Sequence, residues 1–215
     1  MAAFRLAIRL GASGLESDVW LTKDGVAVLA HDGWIGSRLR RRTLSDVDRA
    51  ELPDHVPTLD DLLELADHGG LAVSLDVKDP AGWPTVRAAV LSRPALIGRT
   101  YVCCENFALL ERVASENAGL LLVDSSRLST MREGPERRLA RLAELGVVAL
   151  NMHHSDWNGG LVALAHRFGR LALAWDAQFE HTLVDLLRMG IDGVYSDWVD
   201  RMVDAGRAEF LRSPS

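Results

Sequence analysis

Short apolar runs alternate with longer amphipathic stretches along almost the whole chain, and this alternation constrains the fold more than any other feature. The runs have the length of buried strands and the longer stretches have helical period, which is typical of parallel βα units. The runs that could line a barrel begin near residues 15, 71, 100, 120, 147, 171 and 193. Seven such strands, with Val26–Ala30 as an antiparallel hairpin partner, predict an α/β fold.

The first predicted element is a helix, Ala2–Leu10, with no strand before it. A TIM (β/α)₈ barrel has eight strands and typically about 250 residues, whereas this chain has 215. We therefore predict a single domain over residues 1–215, a TIM (β/α)₈-type barrel with the first strand missing. It would have seven barrel strands and a β-hairpin arm. An open doubly wound sheet has the same alternation, but no glycine-rich phosphate turn follows the first strand.

Charge and composition exclude several classes of protein. A total of 24 Lys and Arg against 30 Asp and Glu gives a net charge of −6, which disfavours nucleic acid as a partner. No apolar run approaches the ~20 residues of a membrane span, and Met1 is not followed by a signal-peptide pattern. These features favour a cytoplasmic protein. The adjacent Cys103 and Cys104 are predicted to be small buried side chains in a reducing compartment.

The first hairpin carries the strongest local signal for chemistry. Glu16 and Asp18 are two residues apart on a strand, so their side chains leave the same face. If Asp24-Gly25 forms a two-residue turn, Asp18 lies directly opposite His31. A bulge at Gly25 would instead shift the pairing by one residue. The two-residue turn predicts that two carboxylates and an imidazole converge.

Converging carboxylates are costly unless a proton or a cation neutralises them, and oxygen ligands suit Mg²⁺ or Ca²⁺. The alternative is a solvated Glu-x-Asp on the polar face of an edge hairpin. The strand Leu71–Lys78 favours the first interpretation, because Ser74, Asp76 and Lys78 share the face that lines a barrel interior. Barrel enzymes keep their active sites at the carboxyl ends of such strands. An Asp76–Lys78 pair that only neutralises itself is the alternative there.

Other polar or aromatic residues lie at predicted strand ends. His153 and His154 fit a polar loop better than a pocket wall or a ligand pair. Trp175 offers a flat wall to a ligand, and packing in the core is an equal alternative. The remaining candidates at these ends are Glu105, Asn106, Asp124, Asn151, Asp176, Ser196 and Asp197.

Six motifs in chain order resemble those of the glycerophosphodiester phosphodiesterases, and together with Trp175 they cover nearly the whole sequence. The motifs are Gly14–Val19, Thr22–Gly25, Val28–Asp32, Val56–Leu59, Ser74–Lys78 and Gly190–Asp197. The basic run Arg40–Arg42 and the form Leu75-Asp76-Val77-Lys78 are similar to the actinobacterial branch of that family.

The resemblance implies a TIM-barrel enzyme that hydrolyses a glycerophosphodiester to glycerol 3-phosphate and an alcohol. Glu16, Asp18 and Asp76 would be ligands of Mg²⁺ or Ca²⁺, although the family more usually has Glu at the third position. The other roles it implies are a general acid at His31, neutralisation of phosphate charge by Lys78 and a substrate-pocket wall at Trp175.

One departure from the family pattern concerns its opening. The family begins with His-Arg-Gly on the first strand and Glu-Asn-Thr entering the first helix, which supply another catalytic histidine, an arginine and a metal carboxylate. The segment 2–7 resembles the helix just after them. We therefore expect a recorded start downstream of the natural one, or a trimmed clone, and impaired activity. A signal peptide could have been lost with the missing segment. The alternative is an inactive phosphodiester-binding or interaction protein. An open barrel edge also predicts homo-oligomers.

Overall fold

The structure is a computed structural model, and it describes residues 1–36, 40–116 and 119–212. The chain divides into two compact units. Unit 1 contains Met1–Arg5, Ser13–Cys104 and Asn117–Leu121, and unit 2 contains Leu6–Ala12, Glu105–Glu116 and Leu122–Ser215. The first helix, α1, spans Ala2–Leu10, as predicted, and has residues in both units. Within the described residues, no helix is both long and apolar enough to span a bilayer.

The strands of unit 1 are β1 (Gly14–Leu21), β2 (Ala27–Leu29), β3 (Trp34–Ile35), β4 (Arg42–Thr43), β5 (Ala72–Val77) and β6 (Thr100–Cys104), and its further helices are α2 (Leu59–Gly69) and α3 (Trp83–Leu91). Four of the strands lie in the order β2-β1-β5-β6, of which β1, β5 and β6 run parallel and β2 runs antiparallel to β1. The two very short strands, β3 and β4, form a separate ribbon.

Unit 2 repeats the strand–helix order with four strands, β7 (Leu121–Ser126, whose first residue belongs to unit 1), β8 (Ala149–His153), β9 (Leu171–Trp175) and β10 (Gly193–Val194). These strands are parallel and lie in the order β7-β8-β9-β10. Its helices are α4 (Phe107–Ala114), α5 (Pro135–Glu144), α6 (Gly159–Arg167), α7 (Glu180–Met189) and α8 (Val199–Arg212). The seven predicted parallel strands are therefore present, three in unit 1 and four in unit 2.

Local sequence accounts for the position of α2. Thr58 accepts a hydrogen bond from the Asp61 N–H at 3.2 Å, and Asp61 accepts one from the Thr58 N–H at 2.7 Å. This reciprocal capping box fixes the start of the helix. Leu59, Leu62 and Leu63 are then fully buried on one face, so the apolar stripe predicted from the sequence faces the core.

The register of the first hairpin differs from the predicted one. Val19 pairs with Leu29, and the same register continues to Asp18, whose carbonyl accepts a hydrogen bond from the Ala30 N–H at 3.4 Å. Ala30 therefore lies opposite Asp18. The prediction that His31 is its partner is wrong.

A bulge at the turn causes this shift. Gly25 has φ +78° and donates its N–H to the Thr22 carbonyl at 2.9 Å, while the Thr22 N–H donates to the Val26 carbonyl at 3.0 Å. The loop thus contains three residues, the last of them a left-handed glycine, which is the arrangement of a G1 bulge. The extra residue moves every pair of the hairpin by one position.

Candidate active site

Two aspartates and a lysine meet on one face of the unit-1 strands. Asp18 on β1 and Asp76 on β5 are register partners. Lys78 Nζ lies 2.6 Å from Asp76 Oδ2 and 3.7 Å from Asp18 Oδ1. Each carboxylate side chain is 16% exposed and the lysine side chain 22%. We call Asp18, Asp76 and Lys78 the carboxylate group.

Strand geometry explains why these side chains share a face. Alternate residues of a strand point to the same side, and parallel register partners lie side by side. Lys78 follows the last residue of β5, and its N–H donates to the Val19 carbonyl at 3.1 Å, so the pairing with β1 continues and keeps Lys78 on the face of Asp76. Glu16 lies on this face too, as the register partner of Ser74, and it is exposed.

A buried thiol lies beside the carboxylate group but is not reactive. Cys103 is the register partner of Asp76 on β6, and its Sγ is 3.6 Å from the Ser74 hydroxyl. Burial, and then the negative charge of Asp76, raise the pKa of this thiol far above its usual value. Cys103 therefore stays protonated and is not a nucleophile. Both cysteines are buried, as the sequence predicted.

His31, the predicted general acid, follows the hairpin and is directed into solvent. Its side chain is 95% exposed, and its Nδ1 is 3.2 Å from Asp32 Oδ1. The neighbouring Asp32 carboxylate can hold the ring through this hydrogen bond. The bulge at Gly25 separates this imidazole from the cross-strand position beside Asp18.

Trp175 ends β9 in unit 2 and is half-buried. Its ring packs edge to face against the ring of His153, with centroids 4.6 Å apart. The guanidinium of Arg127 lies 5.6 Å from the centre of the same indole. Trp175 therefore belongs to a polar environment at the carboxyl ends of the unit-2 strands.

Sequence reasoning did not favour a second group of titratable side chains at these strand ends. His153, His154 and Asp176 each offer a ligand atom, and the three atoms lie within 4.8 Å of one another. His153 pairs in register with Trp175, and Oδ2 of the next residue, Asp176, lies 3.1 Å from His153 Nε2. We call His153, His154 and Asp176 the histidine cluster. No observation decides between the polar-loop interpretation of His153 and His154 and a ligand pair, so the polar loop stays a prediction. The available signal was the pair of polar residues at two neighbouring strand ends.

The electrostatics of the histidine cluster follow from its contacts. Burial, and then the neighbouring His153, lower the pKa of His154, because both disfavour a positive charge on the His154 ring. Hydrogen bonds from Gln178 and His153 hold the pKa of Asp176 below its usual value. The cluster thus combines an imidazole that resists protonation with a carboxylate that stays ionised.

Comparison with known proteins identifies the family. Residues 1–201 match the model of the Glycerophosphoryl diester phosphodiesterase family. The chain belongs to this family. The predicted enzyme class, a phosphoric diester hydrolase, is thereby confirmed at the level of the family.

Individual relatives match over most of their length. A glycerophosphodiester phosphodiesterase of Caldanaerobacter subterraneus subsp. tengcongensis is 21% identical, over 96% of this chain and 91% of that protein. The solved glycerophosphodiester phosphodiesterase of Thermotoga maritima is similar with a TM-score of 0.79 and 21% identity, over 94% of this chain and 89% of that one.

A phosphodiesterase of Oleispira antarctica, solved in complex with sn-glycerol-3-phosphate, is similar with a TM-score of 0.74 and 21% identity, over 95% of this chain and 90% of that one. Together the two solved structures confirm the predicted α/β fold of the TIM-barrel type.

Proposed function

We propose that this chain hydrolyses a glycerophosphodiester to glycerol 3-phosphate and an alcohol, with Mg²⁺ or Ca²⁺ held by Glu16, Asp18 and Asp76. The observation that carries the proposal is the pairing of Asp18 with Asp76 around one cationic atom, Lys78 Nζ. Family membership and the relative solved with glycerol 3-phosphate support the substrate class.

The donor set fits a hard divalent cation. Asp18 and Asp76 offer carboxylate oxygens on rigid neighbouring strands, and Mg²⁺ and Ca²⁺ prefer oxygen ligands. The two carboxylates already hold a positive charge between them in the form of the Lys78 ammonium. Glu16 lies on the same face and would add a third carboxylate. A divalent cation at this site would polarise the phosphodiester and offset its charge.

The protein groups have separate proposed tasks. Lys78 neutralises charge on the phosphate, and His31 protonates the alkoxide that leaves. Trp175 provides a flat apolar wall for the substrate. Asp32, 3.2 Å from His31 Nδ1, orients the imidazole.

Release of glycerol 3-phosphate from glycerophosphocholine, with Mg²⁺ or Ca²⁺ supplied separately, tests this function. We expect Asp18→Asn and Asp76→Asn each to lower kcat/KM at least about 10³-fold, since a metal ion supplies several kcal/mol of transition-state stabilisation. His31→Ala should lower it about 10²- to 10⁴-fold. Asp54→Asn, at an exposed loop carboxylate, is the matched control and should retain activity.

Two results would contradict the proposal. Hydrolysis that persists in both aspartate variants would exclude the carboxylate group as the metal site. Binding of the phosphodiester without turnover in either metal would instead favour the inactive, phosphodiester-binding protein.

We further propose an actinobacterial-type member of the family that forms one domain over residues 1–215, resides in the cytoplasm and self-associates. The family match over residues 1–201 supports the single domain. Exposed apolar side chains on α1 and α8 support self-association, namely Leu6, Leu10, Phe210 and Leu211. Light scattering at high concentration should detect a dimer or larger species, and a monomer at all concentrations would contradict self-association.

A further inference from the structure

The histidine cluster has the composition of a transition-metal site. We propose that His153, His154 and Asp176 bind one divalent cation of the zinc class. These residues are not among the residues assigned to phosphodiester hydrolysis. The proposal therefore concerns a separate set of side chains and does not depend on the proposed function.

The ligand types decide which cations fit. Two imidazole nitrogens and one carboxylate oxygen are a combination that zinc accepts in proteins, whereas Mg²⁺ and Ca²⁺ prefer sites made entirely of oxygen. The set leaves a fourth position of a tetrahedral site for water or another small ligand. The carboxylate group of unit 1, which offers only oxygens, is expected to have the opposite preference.

Distances between ligand atoms agree with a zinc site. With metal–ligand bonds of 2.0–2.1 Å, two ligands of a tetrahedral zinc ion are about 3.3–3.4 Å apart. His153 Nε2 is 3.1 Å from Asp176 Oδ2, so this pair already has nearly the required spacing. All three ligand atoms lie within 4.8 Å of one another, so metal binding requires the His154 nitrogen to move closer to the other two.

Neighbouring polar groups hold the ligands in place. The Ser155 N–H donates to His153 Nδ1 at 3.2 Å, so the ring proton is on Nε2, which donates a hydrogen bond to Asp176. When Nε2 binds a metal, the ring proton moves to Nδ1 and the bond from the Ser155 N–H is lost, but the Ser155 hydroxyl, 2.7 Å from Nδ1, can accept a hydrogen bond in its place. Gln178 donates to Asp176 Oδ1 at 3.2 Å. Such outer contacts orient the ligands of metal sites.

The backbone at Asp176 is a further sign of a fixed arrangement. Asp176 has φ +61° and is the one residue other than glycine with positive φ in the described part of the chain. The adjoining N–H of Ala177 donates to the Tyr195 carbonyl at 3.1 Å. These contacts keep the Asp176 carboxylate beside the His153 ring.

The test uses the full, untagged chain after treatment with EDTA and dialysis. Zn²⁺ uptake is measured by calorimetry, and Co²⁺, which takes the place of zinc, reports the geometry through its visible absorption. We expect one Zn²⁺ per chain and a tetrahedral Co²⁺ spectrum, both resistant to excess Mg²⁺. His154→Ala and Asp176→Asn should each weaken Zn²⁺ binding at least about tenfold.

Matched variants separate this site from others. His166 and Asp192 form a similar pair, with Nε2 and Oδ2 2.8 Å apart, and His166→Ala should leave Zn²⁺ affinity unchanged. Asp76→Asn should leave it unchanged as well. Asn tolerates the left-handed backbone of position 176, and circular dichroism checks that each variant is folded.

Three results would overturn the proposal. The first is no uptake of Zn²⁺ by the folded chain. The second is uptake that both cluster variants leave unaltered. The third is an octahedral Co²⁺ spectrum that excess Mg²⁺ removes, which would mean that the cation occupies oxygen ligands.

Discussion

The carboxylate group of unit 1 and the histidine cluster of unit 2 are both products of parallel strand pairing, but they are built differently. Asp18 and Asp76 are paired within strands, and an ammonium lies between them. In the histidine cluster, His153 ends β8, while His154 and Asp176 follow the ends of β8 and β9. The two aspartates of the carboxylate group are thus set by the ladder itself, whereas two of the three residues in the histidine cluster lie in the turns that follow strands.

Because their side chains are positioned differently, the two sites are expected to respond differently to substitution. The carboxylate group is positioned by backbone hydrogen bonds between strands, so a side-chain substitution there alters charge and leaves the frame intact. The histidine cluster depends on Ser155, Gln178 and one left-handed residue, so its geometry is more sensitive to local changes.

The largest expected effect concerns a fully buried ion pair in unit 2. Arg138 lies 3.1 Å from Asp124, and their side chains are 8% and 0% exposed. Arg138→Met leaves a buried carboxylate without its cation, so the free energy of unfolding should fall by about 3–5 kcal/mol. Urea denaturation measures this loss. Burial already raises the pKa of Asp124, so the loss should be smaller at low pH, where this carboxyl takes up a proton.

Arg141→Met is the matched control for this pair. Arg141 lies on the same helix, α5, and its partners Glu111 and Glu144 are exposed. Arg141→Met should therefore lower the free energy of unfolding by less than about 1 kcal/mol. Equal losses in the two variants would remove the distinction between buried and exposed pairs.

The second prediction alters the carboxylate group. Lys78→Met leaves Asp18 and Asp76 facing each other without the ammonium, and we expect a loss of about 1–3 kcal/mol, between that of an exposed and a buried pair. Added Ca²⁺ should restore Tm in this variant more than it raises Tm in the original chain, because a cation that binds only the folded state stabilises it. Lys23→Met, at an exposed turn residue, is the control. A Ca²⁺ response equal to that of the original chain would argue against a cation site there.

The third prediction compares a left-handed glycine, Gly25, with one that has no positive φ, Gly159. Gly25 forms the bulge at φ +78° with open space around it, so Gly25→Ala should cost about 1–2 kcal/mol through backbone strain alone. Gly159 begins α6 without a positive φ, and Gly159→Ala should cost nothing. Thermal unfolding of the two variants measures the difference, and equal Tm values would show that the bulge does not need a glycine.

The smallest expected effect is the pH dependence that comes from His154. Its pKa is lowered in the folded chain by burial and by His153, while the unfolded value is about 6.5. Below that pH the unfolded chain binds more protons than the folded chain. The contribution of His154 to the free energy of unfolding is therefore fully present above pH ~6.5 and falls as the pH decreases toward the folded pKa. His154→Gln should flatten this part of the curve in urea denaturation. If the pH dependence of the free energy of unfolding is the same in this variant, another titratable group causes it.

Much of the fold could be predicted because its signals are local. The buried strands Ala72–Val77 and Ala149–His153 appear in the sequence as short apolar runs, since parallel strands are covered on both faces. Thr58 marks the start of α2 through a capping pattern that needs only four residues. Such signals do not depend on distant parts of the chain.

The candidate site was predictable only in part. Asp76 and Lys78 could be placed on one face from the period of a single strand. The residue opposite Asp18 in the hairpin could not be predicted, because one left-handed glycine decides between a two-residue and a three-residue loop. His153 and His154 fit a polar loop in the sequence because Asp176, which lies beside His153, follows the end of a different strand.

The sequence by itself determined the order of strands and helices, the helix cap at Thr58 and the residues that share a strand face, since each follows from interactions between near neighbours. The tertiary structure alone decided that Ala30 and not His31 lies opposite Asp18, and that His153, His154 and Asp176 come within 4.8 Å. Register between strands depends on turn geometry and on contacts between residues far apart in the chain. No local pattern carries that information.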